Sequence, residues 1–308
     1  MTAAKVTSVT SATSQRTAVI ALLAGATVWG LIWYPYRALE AAGITAGIAA
    51  TVTYLLAFCV GVVWLRPRDW RRDVNAGIIC IAASAGWCNI GFTVAVVYGD
   101  VMRVVLLFYL APVWTVLSAR ILLGERLVAG GYVVMAMALA GAAIMLWDPK
   151  LGLPVPRTTA EWIALSAGAA FALSNVLSRR AAKCRVEVKA LAVLAGCTLV
   201  GFAYVVLDAD IPAAGMPAFA QMALLAVLAL ILLSVNVSVQ YGLTRIAANR
   251  AVVIYLFELV VTAASAWLLA GETLMPKEWC GGILIVLAGL WSERLAPEAV
   301  KPRIAGSA

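Results

Sequence analysis

The residues able to do chemistry are few, and they stand in costly places. Glu258 lies in Tyr255-Leu-Phe-Glu258-Leu-Val-Val, the middle of a long apolar run. A carboxylate in hydrocarbon is expensive and by default marks function. Tyr255, Glu258, Thr262 and Ser265 recur at i, i+3, i+7 and i+10, which is one helical face. Such a face can line a water-filled cavity. The alternative is a neutral Glu bonded to a neighbouring helix as packing glue, and the cost argument favours the cavity.

Similar faces recur elsewhere: Gly25, Trp29, Trp33 and Tyr36; Trp87, Cys88, Gly91 and Tyr98; Gly168, Phe171, Asn175 and Ser178; Asn236 and Gln240. Trp and Tyr at the ends of apolar runs are belt residues of a membrane interface, but Trp29, Trp87, Tyr109, Phe171 and Tyr255 fall nearer the middle. Singly, each ring fits plain packing equally well. Together with Asn89, Asn175 and Glu258 they describe a pocket with aromatic walls and a few polar anchors. The candidate substrate-binding set is Trp29, Trp87, Asn89, Tyr98, Tyr109, Phe171, Asn175, Asn236, Gln240, Tyr255 and Glu258.

Other chemistries find no support. The chain has no His, which removes His-ligated metals and Ser–His triads. The six Cys form no CxxC pair and lie mostly in apolar runs, as packing residues do. Tyr98-Gly99-Asp100 is preceded by Val97, where an intramembrane aspartyl protease carries Gly. There is no HExxH, P-loop or Gly-rich dinucleotide fingerprint. No catalytic residue, metal or cofactor is expected, nor ATP-driven work within this chain.

The elements that must position these residues follow from composition. Of 308 residues, 64% are hydrophobic and 12% charged, and mean hydropathy is +0.98. Soluble domains run nearer about 45–50% apolar and about 25% charged. This excludes a soluble enzyme, a disordered chain and a nucleic-acid-binding domain, and makes the lipid bilayer the partner. A bilayer-spanning helix needs about 20 mostly apolar residues. Ten such runs occur, at 18–39, 43–65, 74–97, 102–123, 129–147, 160–180, 188–207, 217–241, 247–270 and 278–294. Residues 1–17 and 295–308 are expected to be cytoplasmic tails, the first disordered, and 148–159 an outer connection. With the N-terminus inside, 18 of the 23 Lys and Arg fall on cytoplasmic segments, so the positive-inside rule places both termini in the cytoplasm.

The chain also resembles itself. A shift of 147 lays Gly124-Glu125-x-Leu127 on Gly271-Glu272-x-Leu274, Arg103 on Arg250 and Asn89 on Asn236; a shift of 142 lays Trp29 on Phe171 and Arg37 on Arg179. Two halves of five helices, 18–147 and 160–294, must insert with opposite orientation because five is odd. Inverted repeats are a transporter architecture with the substrate site near the midplane. Each Gly-Glu stands at a helix end, where Gly fits a C-terminus and a structural role for Glu125 and Glu272 is the stronger reading.

Ten helices in two inverted halves, each with Gly-Glu-x-Leu after its fourth helix, resemble the drug/metabolite transporter superfamily and specifically its EamA-type members, over nearly all of residues 18–294. Tyr109-Leu110-x-Pro112 is most similar to the YddG-type exporters of aromatic amino acids, with Ala111 where that type carries an aromatic residue. The resemblance implies an all-helical membrane protein of the bacterial inner membrane. It also implies a secondary transporter that exports amino acids, aromatic or large and apolar, by alternating access. A purine, a cofactor or an amphipathic drug is the alternative solute, and the oligomeric state stays open.

The topology is directly testable. A Cys at position 185 in a Cys-free chain is expected to react with a membrane-impermeant reagent only from the cytoplasmic side. Labelling from outside would sink the ten-helix scheme.

Overall fold

A computed structural model describes residues 12–66, 70–99, 101–125, 127–147, 155–207, 218–271 and 273–294. Glu272, Arg126, residues 1–11 and 295–308, and most of the 148–159 connection lie outside the described residues. Every regular element among those described is an α-helix. In hydrocarbon this follows from the backbone, whose N–H and C=O groups must be satisfied within the chain. Among the described residues nine helical spans are long and apolar enough to cross a membrane, and the chain is an integral membrane protein. Their bounds follow the expected runs within a few residues, except that the first helix begins at Ala12, inside the segment read as a tail.

The expected tenth run is also a helix, Pro276–Arg294 (α14), but it does not count among the nine. Lys277 and Glu278 stand at one end and Glu293 and Arg294 at the other, leaving only Trp279 to Ser292 free of charge. This helix packs along Ala129–Leu146 (α8), with Gly141 and Gly281 at the crossing.

Three of the spans are broken, and two breaks have a proline as their cause. The first span is divided into Ala12–Leu31 (α1) and Trp33–Ala41 (α2). Pro35 has no N–H for the Leu31 carbonyl, and its ring crowds that carbonyl, so α1 stops at Leu31. The fourth span is divided into Val101–Phe108 (α6) and Ala111–Leu123 (α7). Pro112 acts on Phe108 in the same way. The ninth span is divided into Ala248–Tyr255 (α12) and Phe257–Ala270 (α13), with neither Pro nor Gly at the break. There the Leu259 N–H tightens onto the Leu256 carbonyl at 3.1 Å.

Element ends recur at one offset. Val101 and Ala248 open α6 and α12, Phe108 and Tyr255 close them, and Ala129 and Pro276 open α8 and α14, each pair 147 residues apart. Gly124 and Gly271 end α7 and α13 in the left-handed region, φ 67° and 68°, each donating its N–H to the carbonyl of Ala119 or Ala266. A side chain at either glycine would be strained, because L residues rarely adopt that conformation.

The remaining spans are Ala46–Leu65 (α3), Ala76–Tyr98 (α5, preceded by the short turn Trp70–Asp73, α4), Thr159–Arg180 (α9), Val186–Leu207 (α10) and Phe219–Arg245 (α11). Without a hydrophobic drive between helices in lipid, small residues set the closest contacts. The tightest is between α5 and α10, where a Cβ on Gly196 would run into the Ala82 backbone and one on Gly86 into the Gly196 carbonyl. Polar bonds tie the ends. Glu161 in the first turn of α9 accepts from Arg103 Nε at 2.8 Å, Arg103 Nη2 at 3.1 Å and the Arg157 N–H at 2.7 Å. Arg185 pairs with Asp73 at 2.8 Å. Lys189 is fully buried, and its Nζ donates to the Ser178 carbonyl at 3.3 Å. A cation suits that place, because Ser178 lies in the last turn of α9.

Gly196→Val is therefore expected to force α5 and α10 apart and cost about 1–3 kcal/mol. A thermal-unfolding midpoint equal to that of the unaltered protein in the same detergent would show that the crossing is not close.

Candidate functional site

The breaks in the fourth and ninth spans stand side by side and form a small cavity. Phe108, Tyr109, Pro112, Phe171, Val252, Tyr255 and Glu258 line it. Pro112 leaves the Phe108 carbonyl without its helical donor, and α9 meets that carbonyl with Gly168, where a Cβ would sit 2.5 Å from the oxygen. The proline and the glycine thus bring α9, and with it Phe171, against the break.

Glu258 is in the first turn of α13. Read from the sequence, it stood in the middle of one continuous helix. The break changes its electrostatics, because the free N–H groups and dipole of a helix start favour an anion. Tyr109 and Glu258 line this cavity together. Around the pair runs a chain of rings in mostly edge-to-face contact. Trp29 meets Tyr255 at 6.3 Å between centroids, Tyr255 meets Phe171 at 5.4 Å, Phe171 meets Phe108 at 5.9 Å and Phe108 meets Tyr109 at 5.6 Å. Positive ring edges on negative faces account for this geometry. The space open to a water centre is about 10 Å³, room for about one water. The cavity is small, and a solute of amino-acid size enters only after the rings part.

Of the residues proposed from the sequence, Trp29, Tyr109, Phe171, Tyr255 and Glu258 come together here. Two of the polar candidates are occupied elsewhere. Asn89 accepts from the Tyr54 hydroxyl at 2.7 Å and donates to the Ala85 carbonyl at 2.9 Å. Asn236 donates to the Leu232 carbonyl at 2.9 Å, the same bond displaced by 147 residues. Asn175 and Gln240 are buried, and neither Asn175 Nδ2 nor Gln240 Oε1 has a partner. Trp87 and Tyr98 line a different space, an open groove of about 410 Å³ between α9 and α10 that also contains Gly91, Val94, Val200 and Tyr204. They are 43% and 60% exposed, whereas Ile81, Ala85 and Cys88 on the opposite face of α5 are buried, so the groove opens on the outside of the bundle. Trp87 Nε1 donates to Ser166 there at 3.0 Å.

Ser265, expected on the Glu258 face, instead ties α13 to α1, donating to the Gly30 carbonyl at 3.1 Å and accepting from Trp33 Nε1 at 3.0 Å. Phe108 is the wall residue that sequence reasoning missed, and its signal was its place four residues before Pro112. Glu125 behaves structurally: Oε2 accepts from the Ala248 N–H at 3.1 Å, at the start of α12, and Oε1 meets Arg179 Nε at 3.5 Å.

The site is thus a bundle of membrane-spanning helices with two spans broken around a carboxylate in an aromatic cavity. The family model for the EamA-like transporter family matches residues 158–292. The match lies in the second half of the chain, over 135 of its 308 residues. A solved crystal structure of a protein that is 18% identical superposes with a TM-score of 0.74, over 93% of this chain and 99% of the other, and shares the fold. No curated protein matches.

Tyr109 and Glu258 line one cavity, and energetic coupling between them is expected. Tyr109→Phe and Glu258→Gln, made singly and together, are expected to be non-additive in thermal stability by about 0.5–3 kcal/mol. Additivity within about 0.3 kcal/mol would mean that the two groups do not interact.

Proposed function

We propose that this protein is a secondary transporter that exports amino acids with aromatic or large apolar side chains across the bacterial inner membrane. In this reading residues 18–147 and 160–294 are inverted five-helix halves that rock about a midplane site. The constant offset of 147 between helix ends and the two left-handed glycine caps support the repeat. The 18 cytoplasmic Lys and Arg among 23 support termini on the inner side.

One observation carries the substrate class: a single carboxylate at a helix break, with a ring wall on one side of it. An amino acid brings an ammonium for Glu258, and Tyr109 steadies the carboxylate that receives it. An aromatic or large apolar side chain brings area for Phe171, Tyr255 and Trp29. Asn175 Nδ2, a buried donor without a partner, is available for the substrate carboxylate. The direction of transport follows from the family resemblance.

Counterflow in liposomes containing only this protein, with a panel of amino acids, nucleosides and cationic drugs, tests the reading. Glu258→Gln keeps shape and hydrogen bonding but cannot ionise, and is expected to fold normally and lose amino acid transport. Phe171→Ala is expected to weaken aromatic substrates more than small ones, by about 0.5–1.5 kcal/mol beyond the loss of area. Trp87→Ala, in the outer groove, should leave that preference unchanged. Wild-type flux in Glu258→Gln would make the carboxylate structural, and uptake of nucleosides or drugs alone would move the substrate class to the alternative solutes.

A further inference from the structure

Between the Glu258 cavity and one end of the bundle, buried polar groups have been left without partners. On α9, Phe171 is at the cavity, Asn175 one turn further and Ser178 a turn beyond. On α11, Gln240 lies one turn before Thr244. On α12, Asn249 is next to the helix start. Asn175 Nδ2, Ser178 Oγ, Gln240 Oε1 and Asn249 Oδ1 are all buried with no hydrogen-bond partner. A buried donor or acceptor left unsatisfied is costly, and in most proteins nearly all are paired. Four on the facing ends of three helices are a pattern, and a wettable passage between those helices is what would remove their cost.

The passage ends at a clasp. Arg179, at the end of α9, reaches Glu125, just past the end of α7, at 3.5 Å, and its Nη1 donates to the Thr244 carbonyl at 2.5 Å. Glu125 also accepts from the Ala248 N–H at 3.1 Å. Two side chains thereby join four elements, α7, α9, α11 and α12, across the mouth beyond the unpartnered groups. The carboxylate stands at the start of α12 and the guanidinium at the end of α9, so both helix dipoles favour the pairing. The clasp is partly exposed, with side chains 26% and 23% accessible. An ion pair in such a place is weak and can open and close.

We propose that the solute route from the Glu258 cavity to the cytoplasm runs between α9, α11 and α12 past Asn175, Gln240 and Ser178, and that Glu125 and Arg179 are its inner gate. The proposal rests on the transporter reading above and adds to it the path and the residues that close it. Arg179 and Glu125 act here as positioning residues: they touch no solute in the cavity, about 12 Å from Phe171 along α9 at 1.5 Å per residue.

The test is accessibility, which does not require knowledge of the solute. Ser178→Cys is introduced in the full chain. Inverted membrane vesicles are treated with a membrane-impermeant maleimide, and labelling at position 178 is followed by peptide mass spectrometry. Position 178 is expected to react slowly with the clasp intact. Adding Arg179→Gln or Glu125→Gln is expected to speed it severalfold, up to about fivefold, as loss of a partly exposed ion pair allows. Arg179→Lys keeps the charge without the fork; it should give an intermediate rate at an unchanged unfolding midpoint, and it carries the test should Arg179→Gln not fold. Equal rates with and without the clasp, or fast labelling in the unaltered clasp, would overturn the gate. Clasp-dependent labelling without flux of any solute in the panel would keep the gate and overturn the transport reading.

Discussion

Hydrocarbon offers no partner to a backbone N–H or C=O, and the site depends on how this chain handles that constraint. A continuous helix satisfies every backbone group and leaves nothing for a ligand. A break releases some of them at membrane depth, which is tolerated only where protein or a cavity covers them. Here the breaks after Phe108 and Tyr255 face each other inside the bundle, each covered by the other and by α9. Glu258 is placed at the start of α13 by the second break. The cost of a carboxylate in a membrane is thus partly offset by the same break that lines the cavity. Remove the break, and both the room and the favourable end of the dipole go with it.

Close packing supplies the rest of the positioning. The rings of the cavity come from α1, α6, α9 and α12 and the turn after α6, and they meet within 6.3 Å between centroids. Such convergence needs backbones that approach nearly to contact, and Gly168 against the Phe108 carbonyl provides it. Polar residues that looked like anchors serve the same end. Ser265 joins α13 to α1 and Asn89 joins α5 to α3. In lipid, a side-chain hydrogen bond between helices is a fastening as well as a contact that a solute could use.

How much of this was legible in the sequence depended on the kind of signal. The spans were, because about 20 apolar residues in a row match the thickness of a bilayer and far exceed what a soluble helix buries. Glu258 was, because a lone acid in such a run stands out by cost. The prolines marked two of three breaks, but Leu256 carries no residue-level sign, and only its distance of 147 residues from Tyr109 connects it to the other break. Facing directions were the weakest signal. Trp87 and Cys88 differ by about 100° around a helix of 3.6 residues per turn; Cys88 is buried and Trp87 looks outward. In a soluble helix the polar side reveals which face is out. Here both lipid and core are apolar, so periodicity fixes the helix and leaves its rotation undetermined.

The two ends of α12 connect these observations. Its first residue, Ala248, donates to the Glu125 carboxylate. Its last, Tyr255, belongs to the ring wall, and Leu256, in a turn, and Phe257 separate it from Glu258. Eight residues of helix make a rod about 12 Å long, joined to α13 through the tight turn at Leu256 and fastened at the other end by the Ala248 N–H on the Glu125 carboxylate. A rod held in this way cannot move at one end alone. The Glu125 contact at Ala248 and the ring contacts of Tyr255 with Phe171 and Trp29 therefore sit on one helix. Coupling of this kind is reciprocal by thermodynamic necessity. The turn at Leu256 is where the rod meets α13, and the buried groups near its other end are polar.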